Sequence, residues 1–248
     1  MQTYRKDKAA LLAQAISKPD TARSVHQLLH RLCVMTDTSI KQIWHDTGFD
    51  NQVCLVAVGG YGRGALYPYS DIDVLLLMPS GISAEENPVL KSQIEKFISA
   101  CWDNGLEIGS SVRNLEECIQ ESRADITVQT SLLEARRIVG NVALFKAFKN
   151  QYDEAMDSKT FFVAKTLELS QRHTKFENTP YSLEPNAKES PWRFTRLADY
   201  SVDSTCCKVW QNMGGLSAKR IGHCLGSAPT QAQRKYASPD TQPPSSHC

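Results

Sequence analysis

The chain has 248 residues, a formal charge of +1, 41% hydrophobic residues and 22% charged ones. These values fit a soluble globular protein of one large or two small domains and exclude the global basic field that would point to nucleic acid. No run approaches the roughly 18 to 20 apolar residues of a membrane span, and Met1-Gln2-Thr3-Tyr4-Arg5-Lys6 has no apolar signal-peptide core behind it, so the expected location is cytoplasmic.

Residues 4 to 17 and about 22 to 48 read as amphipathic helices. In the second, Val25, Leu28, Leu29, Leu32, Cys33, Ile40 and Ile43 recur at helical spacing, and Gly48 is a natural stop. The run Val53-Cys54-Leu55-Val56-Ala57-Val58 is short and continuously apolar, as expected of a strand buried on both faces. It ends in Gly59-Gly60-Tyr61-Gly62-Arg63-Gly64, and a second such run covers Ile72 to Met78. A helix over about 87 to 103 follows, with Leu90, Ile94, Phe97, Ile98 and Trp102 on one face and Gly105 after its end. Leu106 to Arg113 reads as a third strand. From Asn114 onward nearly everything reads as helix: about 114 to 122, 124 to 139, 141 to 151 and 158 to 177. The fold class expected is α/β (α+β), a small sheet with flanking helices followed by a helical extension. The expected divisions are 1–50 for amino-terminal helices, 51–140 for a catalytic core, 141–191 for the extension and 192–248 for an aberrant, disordered tail.

The stretch with chemical content is the glycine run followed by Ser70-Asp71-Ile72-Asp73. Glycines after a buried strand let the backbone approach a ligand closely, and their amides can hold phosphate oxygens. Asp71 and Asp73 are one residue apart on a strand, so their side chains share a face. Two carboxylates side by side repel unless a cation lies between them. Hard oxygen ligands of this kind suit Mg²⁺ bound together with substrate phosphates. Taken singly, the glycine run could be a tight turn and the aspartates a solvated or capping pair. In this order, flanked by two buried strands, they are the parts for attack on a nucleoside triphosphate.

The run from Val56 to Leu77 resembles the signature of the DNA polymerase beta-like nucleotidyltransferase superfamily, a hydrophobic-Gly-Gly turn followed by Asp-hydrophobic-Asp. The longer wording, through Pro68-x-Ser70-Asp71-Ile72-Asp73, is similar to the PII uridylyltransferase/uridylyl-removing family. Leu106-Glu107-Ile108-Gly109, Ser111-Val112-Arg113, Leu132 to Arg137, Gln171-Arg172-His173 and Tyr181 to Lys188 agree with that family, so the resemblance covers about residues 20 to 191. It implies that Asp71 and Asp73 hold Mg²⁺ ions that clamp UTP and activate a tyrosine hydroxyl of the PII regulatory protein for attack at the α-phosphorus. It implies phosphate binding at Gly59 and Gly60, with Ser70 beside them. Arg63 is either a further phosphate contact or a structural ion pair. A third carboxylate on the next strand is usual in the superfamily, and Glu107 fits it, with Asp125 and Glu134 as alternatives that could instead cap a helix or sit on the surface. Ser111 and Arg113 share the face of Glu107 by alternation and are candidates to line the site. Arg136 and Arg137 read as complementing a helix dipole, and His45-Asp46 as a surface pair.

After Pro191 the sequence departs from the family. Where the family continues Gly-Gly-Leu-Arg-Asp, this chain has Trp192-Arg193-Phe194-Thr195-Arg196, and codons exist for which dropping one base restores the family residues. The expectation is a frameshift at the codon for Trp192; an intact natural reading frame through that codon in the sequenced gene would sink it. The rival expectation is a natural disordered tail rich in Ser, Pro and Gln. The family's HD hydrolase and glutamine-sensing ACT domains are expected to be missing, and with them uridylyl removal and glutamine control. The eight cysteines include no C-x-x-C pair. Cys33, Cys54, Cys101 and Cys118 read as reduced core thiols rather than disulfides or zinc ligands. Two other readings stay open: a nucleotidyltransferase with another acceptor, and a non-catalytic remnant that binds nucleotide or PII. A polymerase is disfavoured because no basic, aromatic-lined channel signature for a template is present.

Overall fold

A computed structural model describes residues 3–16, 21–49, 51–82 and 84–175, all within the compact unit Met1–Asn186. The Tyr181 to Lys188 motif and the whole expectation for 192–248 lie outside the described residues. Twelve elements follow in order: α1 Thr3–Ile16, α2 Ala22–Thr47, β1 Cys54–Ala57, α3 Gly59–Gly62, β2 Ile72–Met78, α4 Pro88–Asp103, β3 Ile108–Asn114, α5 Leu115–Ala124, α6 Ile126–Leu133, β4 Arg136–Gly140, α7 Val142–Ala155 and α8 Ser158–Lys175.

The mixed α/β fold expected from the sequence is present: one four-stranded sheet of order β3-β2-β1-β4, flanked by helices. β1 is antiparallel to both β2 and β4, and β2 runs parallel to β3. Because β1 and β2 are antiparallel, the carboxyl end of β1 and the start of β2 meet at one end of the sheet. That end carries the glycine turn and the aspartates. One sheet face, through Leu55, Ala57, Ile72, Val74 and Leu76, shares a hydrophobic core with Leu32, Ile40 and Trp44 of α2 and with Leu90, Ile94 and Phe97 of α4. Trp44 stacks on Phe49 and meets Phe97 edge-on, closing this core near the end of α2. Tyr4 of α1 joins the same core, its hydroxyl 2.9 Å from Thr36 Oγ1.

The helix ends follow local chemistry. Thr21 and Ser24 form a reciprocal capping box at the start of α2, and Gly48 ends it in the left-handed conformation (φ 72°). Asn87 caps α4, Asn114 caps α5 and Asn141 caps α7, each accepting from the backbone amide three residues on.

Four expectations need correction. The helix expected over 124 to 139 stops at Leu133, and Arg136–Gly140 is strand β4. The reason is tertiary: β1 has a second edge whose backbone groups need partners, and β4 supplies them, pairing Leu55 with Val139 and Ala57 with Arg136. Arg136 and Arg137 therefore sit on a strand, not at a helix end. On α4 the buried residues are Leu90, Ile94, Phe97 and Cys101, a four-three-four spacing that turns Trp102 outward to 51% exposure. Val25, expected on the buried face of α2, is likewise exposed. Among the described residues no helix is long and apolar enough to cross a membrane.

Candidate active site

The turn after β1 is a single helical turn, α3, entered through Gly59 at φ 56°. That left-handed conformation is strained for any residue with a Cβ, so glycine is dictated by the backbone here. Val58 at its start makes no side-chain cap, while its own N–H donates to the carbonyl of Asp73 (3.1 Å), tying the turn to β2. Gly62 is required for a different reason. A Cβ there would lie 2.2 Å from the carbonyl oxygen of Glu134 and 3.1 Å from that of Ala57, so the end of α6 packs directly on the turn.

Asp71 and Asp73 are both exposed and flank buried Ile72, the alternation expected of a strand with one solvated end. In the parallel register Asp73 faces Gly109 of β3, and the Ile72 N–H donates to the Glu107 carbonyl (3.0 Å). A Cβ on Gly109 would lie 2.8 Å from Asp73 Oδ1, and one on Gly59 would lie 3.6 Å from Asp73 Oδ2 and 3.8 Å from Ser131 Oγ. The Asp73 carboxylate thus occupies a cradle between two glycines, one from the turn and one from the neighbouring strand. Two glycines that leave room for a hard oxygen donor, with exposed Asp71 two positions earlier, fit a divalent cation. Gly109 and Ser131 were not read as site residues; their role depends on strand register and on α6 folding back, which no local pattern encodes.

The other expected residues separate. Glu107 is exposed and immediately precedes β3, rather than lying within it. It is not gathered with Asp71 and Asp73 into one ligand set: among the described residues no group of three or more His, Cys, Asp or Glu side chains is arranged to hold a metal. Asp125 caps α6, accepting from Thr127 N–H at 2.6 Å. Glu134 pairs with Arg63, whose Nη1 donates to Oε1 at 2.8 Å and to Oε2 at 2.6 Å. Burial raises the Glu134 carboxyl above the ordinary range, with the Arg63 hydrogen bond and charge opposing it. Arg63 is therefore held in an ion pair, with its Nη2 still next to Gly60. Ser70 donates from Oγ to the Tyr67 carbonyl (3.1 Å) and so closes the turn that delivers Asp71. Arg113 lies four residues along β3 from Gly109, about 13 Å away at strand rise, and pairs with Glu121 at 2.5 Å. It is outside the site. Ser111 is opposite Leu75 and donates weakly to the Val74 carbonyl at 3.5 Å.

Cys33, Cys54, Cys101 and Cys118 are buried free thiols, as expected. Burial pushes Cys54, Cys101 and Cys118 up to about 12, which removes thiolate chemistry at neutral pH.

The glycine turn and the carboxylate pair lie together at one end of the sheet, within a stretch that has known relatives. Residues 40–132 match the family model described as Nucleotidyltransferase domain. This stretch is a nucleotidyltransferase domain. The chain is 56% identical over 170 residues to the bifunctional uridylyltransferase/uridylyl-removing enzyme of Burkholderia lata, covering 68% of this chain and 19% of that protein. It is 53% identical over 182 residues to the protein of the same name from Burkholderia thailandensis, covering 73% of this chain and 21% of the relative. The chain spans about a fifth of the length of the curated relatives it matches. The nucleotidyltransferase domain encloses β1, α3, β2, the glycine cradle and most of α6; β4, which holds Arg136, follows it.

Proposed function

We infer that the chain transfers UMP from UTP to a tyrosine of the PII nitrogen-regulatory protein. The observation that carries this reading is the Asp73 carboxylate cradled by Gly59 and Gly109 inside a nucleotidyltransferase domain. Relatives more than 50% identical over this region are named as uridylyltransferases, which supports the nucleotide and the reaction.

In this reading the backbone amides of Gly59 and Gly60 face the phosphates. Asp71 and Asp73 would hold Mg²⁺. Bound Mg²⁺ supplies charge neutralisation for the triphosphate and Lewis acidity at the attacking oxygen. The acceptor tyrosine releases its phenolic proton to solvent and its oxygen bonds to the α-phosphorus as the bond to the α,β-bridging oxygen breaks, and pyrophosphate departs. Asp73, fixed between glycines, sets where the reacting phosphate lies relative to the turn. Arg63 orders the turn through Glu134 and places positive charge beside Gly60. Ser70 holds the bend that aims Asp71.

The test is transfer of labelled UMP from UTP to purified PII in the presence of Mg²⁺, comparing this chain with its Asp71→Asn/Asp73→Asn variant. Labelled PII that disappears in the variant supports acceptor, donor and carboxylate pair together. A second reading is favoured by one observation, the absence of a gathered three-carboxylate set among the described residues: a domain that binds nucleotide or PII without transferring. UTP binding with no labelled PII from the unaltered chain would select it, and label reaching another acceptor would select a different nucleotidyl transfer.

A further inference from the structure

The glycine turn is anchored by a network that the reaction as described does not use. Tyr61, third residue of α3, is 1% exposed, and its hydroxyl donates to Asp37 Oδ1 of α2 at 2.5 Å. Arg136 of β4 grips the same carboxylate with two donors, Nη1 to Oδ2 at 2.7 Å and Nη2 to Oδ1 at 3.1 Å. Arg136 Nη2 also reaches the main-chain carbonyl of Tyr61 at 3.4 Å and the Cys33 sulfur at 3.4 Å. The guanidinium lies 5.3 Å from the centre of the Tyr61 ring, within cation–π range. One tyrosine is thus held at both its hydroxyl and its carbonyl by a single ion pair whose members are 99 residues apart in sequence.

The electrostatics match the geometry. Burial, then the Asp37 charge, raise the Tyr61 hydroxyl far above its usual range, so it remains a donor. Burial disfavours the Arg136 charge, but the hydrogen bond and charge of Asp37 outweigh it and raise its pKa. Neither of these two groups titrates near neutral pH.

We propose that Tyr61, Asp37 and Arg136 form a positioning unit for the phosphate-binding turn, fixing the direction of the Gly59 and Gly60 amides from outside the site. They are positioning residues, not catalytic ones, and the inference rests on the proposed role of the turn. A turn of four residues has few backbone hydrogen bonds of its own, so its orientation comes from its surroundings. Within Gly59–Gly62 only Tyr61 has a side chain, and Arg63, the residue that ends the turn, is tied to Glu134 instead.

The experiment measures UTP affinity by calorimetry with Mg²⁺ for the unaltered chain, Tyr61→Phe, Asp37→Asn and the double variant, alongside thermal melts. Tyr61→Phe keeps the buried ring and removes only the hydroxyl. The expected result is a loss of UTP affinity of about tenfold or more in each single variant, less than additive in the double. Affinity equal to that of the unaltered chain, even with a lower melting temperature, makes the network merely structural and overturns the proposal. No UTP binding by the unaltered chain overturns the reading of the turn and this inference with it. If the variants do not fold, hydrogen exchange of the unaltered chain decides. Added UTP and Mg²⁺ should raise protection together in peptides covering residues 33–37, 59–63 and 136–140; a rise confined to 59–63 overturns the coupling.

Discussion

Replacing Gly109 by alanine places one methyl group against Asp73. Gly109 lies on β3 and outside the positive-φ glycines, so its backbone accepts alanine without strain. The added Cβ would stand 2.8 Å from Asp73 Oδ1, and from there to an ordinary contact at 3.4 Å is a displacement of about 0.6 Å, which the Asp73 carboxylate must make. Displacements of about an ångström at a positioned group cost on the order of 10²-fold in rate, so a loss of roughly 10- to 100-fold in UMP transfer is expected. Stability should move the other way, since alanine in a strand interior is favoured over glycine by about 0.5–1 kcal/mol. The assay pairs initial rates of labelled UMP transfer with thermal melts of both proteins. An unchanged rate at unchanged melting temperature would refute the claim that this carboxylate's position matters. A rate loss accompanied by a drop of several degrees would assign the damage to the fold instead.

Two further outcomes follow from the geometry. Gly62→Ala drives a Cβ into backbone, 2.2 Å from the Glu134 carbonyl oxygen; overpacking of this kind costs about 1–3 kcal/mol or more, and an unchanged urea midpoint would show that α6 does not bear on the turn as described. Alkaline pH should destabilise the protein: the thiols of Cys54, Cys101 and Cys118 are raised from 9.0 to about 12 in the fold. Folded values above unfolded ones mean that this contribution is complete below about 9 and is lost as pH rises toward 12, with a slope of up to about 1.4 kcal/mol per pH unit per thiol. Urea midpoints measured from pH 8 to 11 that stay flat would contradict it.

The parts of the fold governed by local pattern were legible. The continuous apolar runs around Leu55 and Leu75 gave β1 and β2, the 3.6-residue period gave α2 and α4, and Gly48 gave a helix stop. β4 was missed because Arg136–Gly140 is five residues long and Val139 continues the helical spacing from Leu132; only the unpaired edge of β1 makes it a strand. The same division runs through the site. Alternation placed Asp71 and Asp73 on one face, but Gly109 enters through the β2–β3 register and Glu134 through the packing of α6 on Gly62. Asp37 and Arg136 are farther still from legibility, since the pair joins a helix to a strand 99 residues on and Arg136 alone reads as complementing a helix dipole.

The direction of β2 has a practical consequence. Asp71 and Asp73 stand at its entrance, and its seven residues carry the chain roughly 20 Å before it leaves at Met78. The segment that follows, from Pro79 to the cap of α4 at Asn87, therefore turns at the far end of the strand from the aspartates. A fluorophore, affinity tag or reporter domain introduced at Ser80–Gly81 would ride on the molecule without crowding a macromolecular acceptor at the aspartates.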